Sequence, residues 1–279
     1  APDSRHVEWG ARLLRKLPDD LRRGVREPEA ARGIVLGLLV SRDEELRHRQ
    51  VKKIAETADE GLARRVEEAL PELRGLSPRL RLPLVDLAIP SLRRMSPAQY
   101  GAFRLAVDAV IESDRWLSLF EFALRKLLVR HLDSVFADRK RLSRRRPSTE
   151  EWVDSCRVLL SALAHVGHRD PDRVRTAFAQ GIGHLDEGSA EMEPVSRDEL
   201  SLSRLDEALD RLSGAGPEQK RRLLVGAAAS VGWDGRVRVA EGELFRAFAD
   251  ALDCPVPPLL PDPVTEAESS RRGPTEDPA

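Results

Sequence analysis

The sequence has few of the residues on which several protein classes depend. Aromatic side chains make up 4% of its 279 residues. This scarcity argues against β-sandwiches and barrels, because their strands rely on Tyr, Phe and Trp. Two cysteines, Cys156 and Cys254, cannot supply a disulfide framework or a thiolate zinc site. The longest aliphatic stretch, 33–40, is far shorter than the roughly 20 residues of a membrane-spanning helix.

An excess of one charge sign and the common catalytic motifs are also missing. The 46 basic and 47 acidic residues nearly cancel, which argues against a nucleic-acid-binding surface over the whole protein. Glycine-rich nucleotide loops, P-loops and nucleophile elbows do not occur. None of the six histidines is followed by glutamate, so the sequence has no His-Glu-x-x-His zinc motif. The sequence therefore predicts that this chain is not itself an enzyme.

The residues that are abundant favour an all-α fold. Ala, Leu, Arg and Glu are the commonest types, and apolar residues recur at helical spacing along most of the chain. This pattern predicts about 11 to 13 helices. Several are predicted to begin where a capping residue precedes proline or stands three residues before glutamate. These starts are Ser77-Pro78, Ser96-Pro97, Asp170-Pro171, Ser148/Glu151 and Ser196/Glu199.

Changes in composition predict two helical domains with a linker and a tail. An N-terminal helical domain is expected over 1–135 and a second one over 148–260. The segment 136–147 is expected to be a basic linker. Residues 261–279 are acidic and rich in proline, which predicts a disordered tail because such a composition cannot offset the loss of chain entropy.

The basic segment within the linker is the clearest candidate for an interaction. One interpretation is a solvated loop that needs no partner. Another is attraction to an anionic membrane surface, which contributes about 1 kcal/mol per basic residue. Nucleic acid is disfavoured, because no aromatic side chains alternate with the charges. The residues of this basic segment are Arg139, Lys140, Arg141, Arg144, Arg145 and Arg146.

An internal repeat relates two segments that are 120 residues apart. Segments 96–133 and 216–253 align without a gap and share eight identities. Each consists of a proline-capped helix, a polar loop with aspartate, and a second helix with glutamate near its start. The sequence therefore predicts two copies of one helical pair.

The acidic residues of this repeat admit two interpretations. The second copy, with Asp234, Gly235 and Glu241, matches the second half of a calcium-binding EF-hand loop, but the first half lacks its oxygen ligands. One interpretation is that aspartate and glutamate cap a helix–turn–helix. The other is a weak divalent-cation site built from both copies. Its candidate ligands are Asp114, Glu121, Asp234 and Glu241. His165 and His168 are expected to contact carbonyls or solvent at a helix end rather than a metal.

Segment 229–258, with its Asp-Gly loop and Glu-bearing helix, resembles the helical pair of TerB-like (tellurite-resistance B) domains. The longer run 8–260 resembles the region that follows the protease domain in bacterial M48 (Ste24/HtpX-like) membrane metallopeptidases. The segments that carry this second resemblance are 27–40, 47–50 and 81–100, together with the Asp114 and Asp234 loops.

The resemblance implies a non-catalytic accessory module that organises or regulates a membrane-bound zinc metallopeptidase. Zinc would then belong only to a protease domain that this chain lacks, and no cofactor is expected here. The partner would be that protease domain or another protein. The location would be cytoplasmic, at the cytosolic face of the inner membrane. The alternative is a stand-alone TerB-like module that responds to a divalent metal.

Overall fold

The computed structural model describes residues 12, 14–113, 119–136, 145–185, 192–254 and 256. Over these residues the chain is all-helical, with twelve α-helices, one 3-10 turn (Arg197–Glu199) and no strand, which confirms the predicted fold class. No helix in these ranges is both long enough and apolar enough to cross a bilayer. The helices are α1 (Asp19–Gly24), α2 (Pro28–Leu39), α3 (Glu44–Thr57), α4 (Glu60–Gly75), α5 (Pro78–Leu92), α6 (Pro97–Glu112), α7 (Leu119–Phe136), α8 (Thr149–Gly167), α9 (Pro171–Ile182), α10 (Leu202–Ser213), α11 (Pro217–Gly232) and α12 (Val239–Ala251).

Most of the predicted helix starts are confirmed. Helices α5, α6 and α9 each begin at the predicted proline. At the start of α8, the Ser148 amide donates to Glu151 Oε2 at 2.8 Å and the Glu151 amide donates to Ser148 Oγ at 3.2 Å. The predicted start at Ser196 is wrong, because its side chain makes no capping bond and only a 3-10 turn follows. Helix α10 instead begins after Ser201, which accepts a capping bond and directly precedes the leucine stripe.

The described residues belong to two compact units. The N-terminal unit comprises Gly10–Arg144 with Arg246–Asp253, and the C-terminal unit is built from Arg145–Phe245. Helix α12 therefore contributes its beginning to the C-terminal unit and its end to the N-terminal unit. Most of the predicted linker 136–147 and all of the predicted tail 261–279 lie outside the described residues.

In the N-terminal unit, α2 is the central helix. It packs against α4, α5 and α6, and most of its residues are buried. Gly33 allows the close approach to α4, because a Cβ there would lie 2.7 Å from Arg65 Cβ and 2.8 Å from its carbonyl carbon. A glycine is therefore required at the point where the two helices are nearest.

Polar contacts hold the end of α12 in the N-terminal unit, although the sequence analysis places these residues in the domain over 148–260. Arg246 Nη2 donates to Asp86 Oδ2 at 2.6 Å. Asp250 Oδ1 lies 3.2 Å from His131 Nε2, and Arg130 Nη1 lies 2.9 Å from Asp253 Oδ1. Two of these contacts reach α7 and one reaches α5, which explains why Arg246–Asp253 group with the N-terminal helices.

In the C-terminal unit, α8 is the central helix and contacts α9, α10 and α11. Its inward face includes Cys156, Leu159 and Leu160, all fully buried. Helices α9 and α11 cross closely, because a Cβ at Gly226 would overlap the carbonyl oxygen of Gly181. Two facing glycines therefore set this helix spacing.

The helix boundaries follow the 120-residue repeat. Helices α6 and α11 begin at Pro97 and Pro217 and have 16 residues each, and α7 and α12 begin at Leu119 and Val239. In both copies, a glutamine three residues after the N-cap accepts a bond from the N-cap amide, at 2.8 Å and 3.1 Å. The predicted repetition thus extends to the length and capping of the first helix of each copy, whereas the likeness to TerB-like domains stays a prediction.

Candidate functional site

The candidate site is the loop between α11 and α12, which carries the acidic residues of the second repeat copy. Gly235 has φ +74°, a left-handed conformation that glycine adopts without strain. Asp234 Oδ1 accepts a hydrogen bond from the Arg236 amide at 3.0 Å. This side-chain bond and the glycine together turn the chain from α11 towards α12.

Arg238 joins the two predicted carboxylates of this loop. Its Nη2 lies 3.1 Å from Asp234 Oδ2, and its Nη1 lies 3.4 Å and 3.5 Å from the oxygens of Glu241. The Arg238 amide also donates to Glu241 Oε2 at 2.7 Å. Glu241 therefore caps the start of α12, as the capping interpretation of the sequence predicts.

Glu241 is a buried carboxylate, with only 1% of the residue exposed. Its burial raises the pKa of the carboxyl group, and the opposing influence of Arg238 is smaller. The side chain lies against Gly167 at the end of α8, where an added Cβ would overlap Oε1. A larger residue at position 167 would therefore displace this carboxylate.

His168 and Trp233 form the second part of the site. Trp233 Nε1 donates to His168 Nε2 at 2.7 Å, so this nitrogen carries no proton and the proton of the neutral ring is on Nδ1. Burial, followed by the positive charge of Arg238, lowers the pKa of His168. The guanidinium of Arg173 lies 5.9 Å from the centre of the Trp233 ring. We call Asp234, Arg238, Glu241, His168 and Trp233 the Arg238 cluster.

The structure describes three of the four predicted metal ligands, and a site built from both repeat copies stays a prediction. Asp234 and Glu241 meet through Arg238, Glu121 belongs to α7 of the N-terminal unit, and Asp114 lies outside the described residues. The described residues contain no group of three or more His, Cys, Asp or Glu side chains arranged to hold a metal. A cation that bound to Asp234 and Glu241 would have to displace the Arg238 guanidinium.

Only the end of the basic segment is described. Arg139, Lys140, Arg141 and Arg144 lie outside the described residues. Arg145 is exposed and forms an ion pair with Glu151 in the first turn of α8. Arg146 is also exposed. The interaction assigned to this segment stays a prediction.

From the sequence, His165 and His168 are expected at a helix end, apart from the predicted carboxylate ligands. The structure brings His168 and Trp233 to the same loop as Asp234, whereas His165 Nε2 lies 2.9 Å from the carbonyl oxygen of Val195. The signal available in the sequence was that His168 and Trp233 each directly follow a helix end. Arg238 was missed because nothing in its spacing shows which two carboxylates it joins.

Comparison with family models, with curated proteins and with solved structures gives no match. Over the residues that the structure describes, the fold is thus all-helical, with two helical units and a repeated helical pair. The resemblance to TerB-like domains and M48 metallopeptidases rests on sequence motifs alone.

Proposed function

We propose that this chain is a non-catalytic interaction module of a membrane-bound M48-type zinc metallopeptidase. The observation that carries the proposal is the bridge from Arg238 to Asp234 and Glu241. In the helical pair on which the resemblance rests, Asp234 and Glu241 pair with Arg238 of the same chain. Their role is to hold the turn and the start of α12.

The same geometry argues against a catalytic role for these groups. A general acid or base must come within about 2.6–3.2 Å of the proton that it transfers. Glu241 is 1% exposed and already accepts the Arg238 amide, and His168 is 4% exposed and accepts the Trp233 indole proton. Both groups are thus buried and already hydrogen-bonded within the fold.

The module's partner in this proposal is the protease domain of the parent protein, or a second protein that it recruits. The module lies on the cytosolic side of the membrane, where the basic segment faces the anionic lipid headgroups. The alternative of a divalent-metal-responsive module requires Asp234 and Glu241 to exchange Arg238 for a cation.

Two observations test the proposal. The isolated chain, supplied with zinc, is expected not to hydrolyse unstructured peptide or casein, and zinc-dependent hydrolysis would overturn the non-catalytic assignment. The reading frame that contains this chain is expected to encode a His-Glu-x-x-His helix and membrane-spanning helices. A complete reading frame that encodes neither would overturn the connection to a peptidase.

A further inference from the structure

A cleft in the N-terminal unit brings together arginines from different parts of the sequence. Arg42 and Arg47 come from the α2–α3 connection and α3, Arg74 from the last turn of α4, and Arg81 from α5. We call these four residues and the space between them the arginine cleft. No linear motif in the sequence connects these four arginines.

The arginine cleft has a small inner cavity and a wider outer groove. The inner cavity has a volume of about 40 Å³, and Arg42, Arg74 and Arg81 line it above an apolar floor. The outer groove, of about 410 Å³, shares Arg42 and Arg74 and adds Arg47 and Glu44. The residues of the floor are Gly37, Leu38, Val40, Leu70 and Leu73.

Two arginines of the cleft have no carboxylate partner among the residues that the structure describes. Neither Arg42 nor Arg74 forms an ion pair within the described residues. Arg47 lies 4.0 Å from Glu44, the only carboxylate among the described residues that line the cleft. Arg81 lies over the ring of Phe120, 5.3 Å from its centre. Two guanidinium groups, those of Arg42 and Arg74, therefore line the inner cavity without a carboxylate partner among the described residues.

We propose that the arginine cleft binds a phosphate monoester. The inner cavity has room for about three water-sized groups, the size of one small anion. Guanidinium groups bind phosphate oxygens with paired hydrogen bonds, and a phosphate monoester carries a charge of about −1.5 to −2 at neutral pH. That charge balances several arginines better than a single carboxylate does. The apolar floor strengthens the attraction, because it keeps water from one side of the anion.

This site does not depend on the proposed function, since it uses residues of the N-terminal unit alone. The first experiment follows the arginine Nε–Hε resonances by NMR while inorganic phosphate is added at constant ionic strength and neutral pH. The resonances of Arg42, Arg74 and Arg81 are expected to shift and to saturate together. Weak, unsaturated shifts spread over all arginines would overturn the proposal.

A pair of variants tests which residues bind. The double variant with Arg42→Gln and Arg74→Gln is expected to bind phosphate at least about tenfold more weakly, because two sets of charge-assisted hydrogen bonds are lost. The matched control is Arg49→Gln with Arg64→Gln, which removes the same charge from exposed positions in the same unit. The control is expected to change binding by less than about twofold. Equal weakening in both pairs would overturn the site.

Further binding experiments distinguish a soluble phosphate monoester from the phosphate of a lipid headgroup. Saturable binding of inorganic phosphate without binding to phosphatidic acid vesicles assigns a soluble phosphate monoester, and binding of both assigns a lipid headgroup. The proposal of a specific site is overturned if the protein binds phosphatidylglycerol vesicles as tightly as phosphatidic acid vesicles and the variant with both Arg42→Gln and Arg74→Gln binds them equally well. A glutamate-rich peptide that binds through the same arginines more tightly than phosphate overturns the phosphate assignment in favour of carboxylates.

Discussion

Replacing Arg238 with glutamine tests whether the Arg238 cluster is a structural bridge. Arg238→Gln leaves the Glu241 carboxylate buried at 1% exposure and without its cationic partner. Removing one partner of a fully buried ion pair costs about 3–5 kcal/mol. The Arg238 side chain is 36% exposed, so solvent screens part of this interaction. We therefore expect Arg238→Gln to lower the free energy of unfolding by about 1–3 kcal/mol.

A double-mutant cycle isolates the interaction itself. Glu241→Gln keeps the shape of the side chain and removes its charge, so Arg238→Gln is expected to cost much less in that background. The coupling free energy is expected to be about 1–2 kcal/mol. Urea dependence of amide exchange in α8 and α11 reports the stability of the C-terminal unit. A coupling below about 0.3 kcal/mol would refute the bridge.

The pH dependence of the same variant provides a second readout. Without Arg238, the pKa of Glu241 should rise further above its ordinary value of 4.5, because burial then acts with less opposition. A carboxyl group with a raised pKa stabilises the fold at low pH, and this contribution is lost as the pH rises through the folded-state pKa. The stability deficit of Arg238→Gln should thus shrink on acidification. A deficit that grows as the pH falls would contradict the assignment.

The C-terminal unit gives four further predictions. Gly226→Ala should destabilise the C-terminal unit by about 1–3 kcal/mol, because the added Cβ overlaps the facing carbonyl. Gly75→Ala is the control and should not destabilise the protein, because a Cβ there meets nothing within 4 Å. Urea denaturation of both variants measures the two effects. Trp233→Phe should cost about 1–3 kcal/mol in the same assay, because His168 loses its donor. The pKa of His168 is lowered from 6.5, so the contribution of this residue to the free energy of unfolding of the wild type should decline as the pH falls below 6.5. A wild-type Tm that does not change with pH in this range would contradict the prediction. Calorimetric titration with millimolar Ca²⁺, Mg²⁺ or Zn²⁺ should show no saturable binding at the Arg238 cluster. Saturable binding that Glu241→Gln abolishes would favour the metal-responsive alternative.

The sequence predicts the features that local chemistry determines. The helix starts at Pro97, Ser148 and Pro171 depend on capping residues within four positions, and the structure confirms them. The failed start at Ser196 had the same local pattern, but Ser201 offered a cap closer to the buried leucines. Local sequence signals thus predict that a helix is present more reliably than they predict its first residue.

The features that the sequence did not predict depend on contacts between distant residues. The bond between His168 and Trp233 spans 65 positions, and the ion pair between Asp86 and Arg246 spans 160. The arginine cleft likewise combines the ends of several helices. The spacing of residues along one helix carries no information about such meetings, because they follow from how the helices pack.

The most direct test of the proposed function compares the metallopeptidase that, under this proposal, contains the chain with a form of it that lacks residues 1–260 of the chain. If the chain is a non-catalytic interaction module, deletion should leave bound zinc and the hydrolysis of a short unstructured peptide unchanged, and should slow cleavage of a folded membrane substrate. Loss of peptide hydrolysis while zinc remains bound would contradict the account, because it would place part of the catalytic machinery in this chain.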